Sequence, residues 1–142
     1  MGEISGFRFP VKEPKSHYYI LCRFFCEELG KFLPAIFLID TGAATTTIIA
    51  EAFGLNFKRL EEGSEVLTPA GFLITKKVHN ATIAFTTSEG EIHVENLDEV
   101  DVISLKPPPS FHGMLGMDIF NRFKKTETNG RKWIFHTNQS TV

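Results

Sequence analysis

The stretch Ile36-Phe37-Leu38-Ile39-Asp40-Thr41-Gly42-Ala43 decides the fold, because an aspartate and a glycine directly follow a wholly apolar run. This run predicts a buried strand from Phe32 to Ile39. A carboxylate at the end of such a strand must gain hydrogen-bond donors, stay neutral or share a proton with a neighbour. We therefore expect Asp40 to have a functional role, although Asp-Thr-Gly could also form an ordinary turn.

The segments on either side of this stretch have the composition of strands and turns. Tyr18–Phe25 is rich in β-forming residues, and residues 27–30 supply turn residues and a glycine before the Asp40 strand. These two segments predict a β-hairpin that leads into Asp40. Beyond it, residues 50–53 favour a single helical turn because Gly54 follows them.

Two further hairpins are predicted in the middle of the chain. Residues 66–68 and 72–75 flank Pro69-Ala70-Gly71, which is the arrangement of a hairpin with a tight tip. We interpret this hairpin as a candidate flap, with an ordinary exposed hairpin as the alternative. Residues 78–85 alternate between two faces, and a turn then leads to a strand at 91–95.

The C-terminal third predicts a strand at residues 100–105, a short amphipathic helix after Gly116 and a last strand at Lys132–His136. Taken together, the pattern predicts an all-β single domain. The expected divisions are an N-terminal arm that crosses the surface or adds an edge strand at residues 1–17, the domain at 18–137 and a C-terminal tail at 138–142.

Composition excludes several functional classes. The chain has 142 residues, which is about one domain, and its net charge of -2 offers no concentrated basic surface for nucleic acid. The longest charge-free apolar stretch, residues 32–39, is far too short to span a membrane, and the start of the sequence does not resemble a secretory signal. We therefore expect a soluble, cytoplasmic protein with no nucleic-acid or membrane partner.

Neither thiols nor histidines indicate a cofactor. Cys22 and Cys26 lie four positions apart in a predicted strand, which separates their Cα atoms by about 13 Å and excludes a disulfide. We expect both to be buried core thiols. The five histidines are too scattered for a zinc site, so the expectation is no metal and no cofactor.

A second segment, His112-Gly113-Met114-Leu115-Gly116-Met117-Asp118-Ile119-Phe120, places apolar residues and a glycine directly before the predicted helix. Asp-Thr-Gly-Ala, the flap hairpin and this segment together resemble the retropepsin-like aspartic proteases. The similarity extends to retroviral proteases and to the retropepsin-like domain of the DNA-damage-inducible shuttle proteins. It covers residues 18–136 and implies a half-pepsin, closed β-barrel-like fold with one short helix.

The resemblance implies an aspartic endopeptidase whose two catalytic aspartates share one proton. Asp98, Asp101 and Asp118 begin no second Asp-Thr-Gly or Asp-Ser-Gly. A working site would therefore need Asp40 from each protomer of a two-fold, isologous homodimer. The resemblance implies that Thr41 links the catalytic loops of the two protomers. It also implies that Gly42 lets the backbone approach the substrate.

The resemblance also implies a polypeptide substrate with apolar side chains beside the cleaved bond. Met114 has core packing as its alternative role. The implied substrate-binding residues are Ala43, Pro69, Ala70, Gly71, Phe72 and Met114.

Two departures from the retroviral pattern bear on the dimer. Ala44 and Met117 occupy the positions of an acidic residue and an arginine that pair near the interface in retroviral enzymes. We expect the dimer to be held differently, with Lys132–His136 or the strands near Tyr18 as candidates. The alternatives are a catalytically silent dimerisation or peptide-binding module of the same fold, and an unrelated β-barrel that binds an apolar ligand.

Overall fold

The computed structural model describes residues 2–8, 17–69, 71–129 and 132–137. Most of these residues lie in strands, which confirms the all-β prediction. The strands are β1 (Glu3–Arg8), β2 (Tyr18–Phe25), β3 (Leu33–Ile39), β4 (Thr47–Ile49), β5 (Glu61–Thr68), β6 (Gly71–Thr86), β7 (Ile92–Ile103), β8 (Gly113–Leu115), β9 (Lys125–Asn129) and β10 (Lys132–His136).

Two four-residue helices are present, α1 (Ala50–Phe53) and α2 (Met117–Phe120), and a 3-10 turn covers Phe57–Arg59. They confirm the predicted helical turn at residues 50–53 and the predicted short helix after Gly116, whereas the resemblance implied only one short helix. Gly54 adopts a left-handed conformation, with φ of 71°, and its N–H bonds to carbonyls at the start of α1. Because glycine pays no Cβ penalty in this conformation, it ends α1 after one turn.

Six strands close into a barrel. Neighbouring strands in the order β6-β7-β4-β8-β3-β2 are hydrogen-bonded to each other. β2 also pairs with β6, which closes the barrel: Arg23 lies opposite Ala84, Phe24 opposite Ile83 and Phe25 opposite Thr82. The predicted hairpin before Asp40 is β2 and β3, in which Tyr19 lies opposite Leu38. Closure removes the free strand edges that an open sheet would expose.

The chain's first and last described strands lie side by side. β1 pairs with β10 along five residues and with β2 at its other edge, so it is an interior strand and not an edge strand. β9 pairs with β10 and was not predicted, because Lys125–Asn129 is polar. Residues 9–16 of the expected arm and the expected tail at 138–142 lie outside the described residues.

The candidate flap is the hairpin of β5 and β6, in which Thr68 pairs with Gly71 across the tip. Pairing of β6 with β7 begins only at Lys76, so residues 65–68 and 71–74 pair with each other and extend beyond the barrel. β6 then continues without a break into the second predicted hairpin, making a strand of 16 residues.

Aromatic rings fill much of the core. Phe24, Phe37, Phe85 and Phe135 are fully buried, and Phe24 lies 6.0 Å from Phe37 between ring centroids. Burial of this apolar area is the main stabilising contribution to the fold. Among the described residues, no helix is long and apolar enough to cross a membrane.

The two cysteines are free thiols, with Cys26 buried and Cys22 half-buried. Desolvation raises the pKa of Cys22 to about 12 and that of Cys26 to about 11. Both thiols therefore stay protonated at neutral pH, which makes them poor nucleophiles.

Candidate active site

Asp40 is the first residue after β3, at a point where three short strands meet. β3 runs parallel to β8, and β8 runs antiparallel to β4. The loop that carries Asp40 therefore leaves β3 on one side of β8 and enters β4 on the other side. The Asp40 N–H donates to the Leu115 carbonyl at 3.0 Å, which extends the β3–β8 pairing to Asp40 itself. Buried strands on both sides thus fix the backbone of this aspartate.

The loop after Asp40 is folded tightly against the Asp40 carboxylate. The Gly42 N–H donates to Asp40 Oδ1 at 3.0 Å, and the Ala43 N–H donates to the Asp40 carbonyl at 3.2 Å. Asp40 is half-buried, while Thr41 and Gly42 are exposed. The sequence predicted a buried carboxylate, but the apolar strand ends at Ile39 and the loop then turns onto the surface.

A buried hydrogen-bond network supports the far end of the loop. The Thr46 hydroxyl donates to Asp118 Oδ1 at 2.7 Å and accepts from the Gly116 N–H at 3.1 Å. The Thr46 N–H donates to Asp118 Oδ2 at 3.0 Å, and Thr46 is only 1% exposed. A carboxylate that accepts several hydrogen bonds holds its donors firmly. Asp118 therefore fixes the loop to the first turn of α2.

Sequence reasoning did not identify Thr46 and Asp118 as a pair, because 72 positions separate them. One signal was present. Asp118 stands in the first turn of the predicted helix, two residues after Gly116, where a carboxylate commonly accepts hydrogen bonds from nearby donors.

Gly116 allows the loop and the second segment to touch through their backbones. A Cβ at this position would lie 2.5 Å from the Thr45 carbonyl carbon and 2.9 Å from the Thr46 nitrogen. Neither backbone atom can move away as a flexible side chain could. The glycine in Leu-Gly-Met-Asp is therefore a steric requirement of the site.

Ala44 and Met117, the two positions that lack the retroviral charge pair, each form a backbone hydrogen bond to the residue next to the other. The Met117 N–H donates to the Ala43 carbonyl at 2.8 Å, and the Asp118 N–H donates to the Ala44 carbonyl at 3.2 Å. The contact between the Asp40 loop and α2 is thus made without an ion pair, and no buried charge is left without a partner there.

The residues expected to bind substrate fall into two groups. Ala43 and Met114 are half-buried and lie beside Asp40, Ala43 in its loop and Met114 on β8 opposite Leu38. Pro69, Gly71 and Phe72 are exposed on the separate β5–β6 hairpin. Ala70 lies outside the described residues.

The other aspartates have separate roles. Asp101 accepts from the Thr45 hydroxyl at 3.1 Å, Asp118 is bound to Thr46, and Asp98 is exposed on β7. Among the described residues, no second carboxylate shares a hydrogen bond with Asp40. One chain therefore presents a single Asp-Thr-Gly carboxylate.

His112 supports β3 just before the site. Its Nδ1 accepts from the Ile36 N–H at 3.1 Å, and its ring packs on Phe53 at 5.1 Å between centroids. Burial lowers the pKa of His112. An imidazole nitrogen can accept a hydrogen bond only when it carries no proton, so the neutral ring fits this contact.

Two other surface features lie away from Asp40. A cleft of about 810 Å³ opens between β1, β2 and the β6–β7 turn, and none of its lining residues belongs to the Asp40 loop. Glu27, Glu28 and His79 bring potential metal ligands within 4.8 Å of one another. Both ring nitrogens of His79 already contact carboxylates, so ion pairing accounts for this cluster.

Comparison with known proteins identifies the architecture. The chain is similar to the crystal structure of a retropepsin-like aspartic protease from Rickettsia conorii, with a TM-score of 0.56 and 19% sequence identity. The similarity covers 96% of this chain and 91% of that protein. No protein-family model and no curated protein sequence matches the chain. The resemblance read from Asp-Thr-Gly-Ala is confirmed at the level of structure: this chain has the fold of a retropepsin-like aspartic protease.

Proposed function

We propose that the protein is an aspartic endopeptidase, active as a homodimer in which each protomer contributes Asp40. The observation that carries the proposal is the geometry of Asp40. It is anchored between β3 and β8 through Leu115, and Gly42 orients its Oδ1, yet the loop that carries it is exposed. A rigid carboxylate at an open surface can meet a second carboxylate without rearrangement of its own chain.

The chemistry follows from two carboxylates held close together. Two carboxylates within hydrogen-bond distance cannot both be ionised, so the pair shares one proton. The ionised member removes a proton from a bound water, which attacks the peptide carbonyl carbon. The protonated member donates a hydrogen bond to the carbonyl oxygen as negative charge develops there. The tetrahedral intermediate then collapses when the carboxyl group that took the water proton donates it to the amide nitrogen and the C–N bond breaks, which restores the singly protonated pair.

The requirement for a second copy rests on the single Asp-Thr-Gly in the chain. Only a two-fold contact brings Asp40 opposite its own copy. Thr41 and Gly42 are exposed in one chain, as residues that would face a partner protomer must be. In this proposal Thr41 links the two catalytic loops and Gly42 lets the substrate backbone approach.

The substrate in this proposal is an extended peptide with apolar side chains. The hairpin tip exposes Phe72, Leu73 and Ile74, at 73%, 37% and 59%. Exposed apolar side chains on a projecting hairpin are costly in water but suit a flap that closes over a peptide. Ala43 and Met114 would contact the peptide from below.

Substitution of Asp40 by Asn tests the catalytic role. Asp40→Asn preserves size but removes the acid and base function, so we expect peptide hydrolysis to fall by at least about a thousandfold. The measurement is cleavage of a peptide library at acidic and neutral pH. Asp98→Asn is the matched control because it removes one exposed carboxylate elsewhere and should leave cleavage unchanged.

Dilution tests the shared site. Specific activity should fall as the protein is diluted through its dimer dissociation constant, measured in parallel by sedimentation. Constant specific activity across that range would contradict a shared pair. A stable dimer of wild-type protein that cleaves nothing in the library would instead favour the silent peptide-binding module.

A further inference from the structure

The base of the β5–β6 hairpin contains a histidine held between two carboxylates. His79 Nδ1 lies 2.8 Å from Glu28 Oε2, and Nε2 lies 2.7 Å from Glu61 Oε2. Glu28 belongs to the turn between β2 and β3, whereas Glu61 is the first residue of β5. One side chain on β6 thus bridges the barrel and the projecting hairpin.

Both contacts exist together only when the ring carries two protons. A neutral imidazole has one N–H, and its other nitrogen is an acceptor that repels a carboxylate. The imidazolium donates from both nitrogens and satisfies both glutamates. The observed distances therefore describe the protonated ring.

The two contacts are not equally secure when the ring loses a proton. Glu28 also accepts from the His79 backbone N–H at 2.9 Å, and the Glu27 N–H donates to the His79 carbonyl at 2.9 Å. These backbone bonds keep the β2–β3 turn against His79 in either protonation state. The remaining ring proton is therefore best placed on Nδ1, facing Glu28, and the contact to Glu61 is the one that is lost.

We propose that His79 is a protonation-dependent clamp that tightens the hairpin base against the barrel at low pH and loosens it at high pH. The pH dependence of the hairpin base is inferred from the contacts of His79 alone. Only its consequence, that protonation positions the flap over a substrate, rests on the proposed function.

Of the other charged groups around His79, the carboxylates favour the protonated ring, whereas the Lys77 ammonium disfavours it and also pairs with Glu61. Glu99 on β7 is the cross-strand neighbour of His79, and Lys77 on β6 bonds to Glu99 at 3.3 Å and lies 3.6 Å from Glu61. The hydrogen bond to Glu28, together with the charges of Glu61 and Glu99, outweighs desolvation and raises the pKa of His79 above its ordinary value of 6.5. The clamp is thus fully formed below pH 6.5 and is lost as the pH rises through the higher, folded-state pKa.

Hydrogen exchange tests the clamp without any assay of activity. Protection factors of the amides at residues 61–65, corrected for intrinsic exchange, should fall about two- to fivefold between pH 6 and pH 8.5, the size expected for one exposed ion pair. His79→Gln should remove this pH dependence and give low protection throughout. His17→Gln, which changes an exposed histidine outside the hairpin, is the matched control.

A second measurement assigns the titration. The pKa of His79, followed by its ring proton NMR signals, should lie above 6.5 and should drop in Glu61→Gln. Protection at residues 61–65 that does not change with pH, or that changes equally in His79→Gln, would overturn the proposal. If the clamp is found but wild-type protein cleaves no peptide, the proposed function fails and the clamp remains.

Discussion

The Asp40 loop and the β5–β6 hairpin are built in opposite ways. The loop is held from behind by Thr46, Gly116 and Asp118, all in contact with backbone that cannot move. The hairpin extends from the barrel with its tip residues exposed and is tied at its base by side chains. In the proposed endopeptidase, the reacting carboxylate would therefore lie on a loop held by backbone contacts, and the substrate cover would be a hairpin that projects from the barrel.

The largest expected effect on stability is at Gly116, which lies against the Asp40 loop. Gly116→Ala places a methyl group 2.5 Å from the Thr45 carbonyl carbon, so we expect a loss of about 3 kcal/mol or more in the free energy of unfolding. Gly90→Ala is the control, because a Cβ there meets nothing within 4 Å and only the left-handed backbone costs about 1 kcal/mol. Equal losses in urea denaturation would show that the close backbone contact is not important.

Thr46 gives the next effect. Thr46→Val keeps the shape but leaves the Gly116 N–H without its acceptor and Asp118 without one donor, so we expect a loss of about 2 to 3 kcal/mol. Thr46→Ser retains the hydroxyl and should cost only about 1 kcal/mol for the lost methyl group. Urea denaturation of the two variants measures the difference in the free energy of unfolding. Equal losses in Thr46→Val and Thr46→Ser would contradict a role for the hydroxyl.

His112, which supports β3 just before Asp40, should make the stability of the protein depend on pH. Because burial lowers the pKa of His112, the folded state binds fewer protons there than the unfolded chain. Its contribution to stability is present above pH 6.5 and is lost as the pH falls through the lower, folded-state value. His112→Asn keeps an acceptor for the Ile36 N–H without titrating near neutrality. We expect a weaker loss of stability between pH 7 and pH 5 in this variant, measured by thermal denaturation at each pH. An unchanged slope would exclude His112 as the cause.

The smallest effect on stability is expected at the hairpin tip. Phe72 is 73% exposed, so Phe72→Ser should change the free energy of unfolding by less than about 0.5 kcal/mol. If the hairpin is a flap, the same variant should raise KM for peptides several-fold, since it removes apolar contact with bound substrate. Leu21→Ser, on the outer face of β2, is an equally exposed control that should leave KM unchanged. A KM that moves equally in both variants would argue against a flap.

Sequence reasoning succeeded where local chemistry determines structure. The apolar run before Asp40 predicted β3, the Pro-Ala-Gly turn predicted the β5–β6 hairpin, and Gly116 marked the start of α2. Each of these depends on residues within a few positions of one another.

Sequence reasoning failed where distant residues determine structure. β9 is polar and becomes a strand because β10 offers it a partner. The pairing of Thr46 with Asp118 and the ion pairs of His79 join residues from separate parts of the chain, and the sequence around each residue does not indicate its partner. The half-burial of Asp40 likewise depends on how the loop leaves the barrel, which composition does not encode.

The position of β1 between β2 and β10 has a consequence for biosynthesis. Glu3 lies opposite His136, so β1 cannot find its main partner until β10 has been translated. Closing so long a loop is entropically slow, and until then the nascent sheet has an uncovered edge on which other polypeptides can pair. Newly made β1 should therefore need protection from other polypeptides until β10 has been translated.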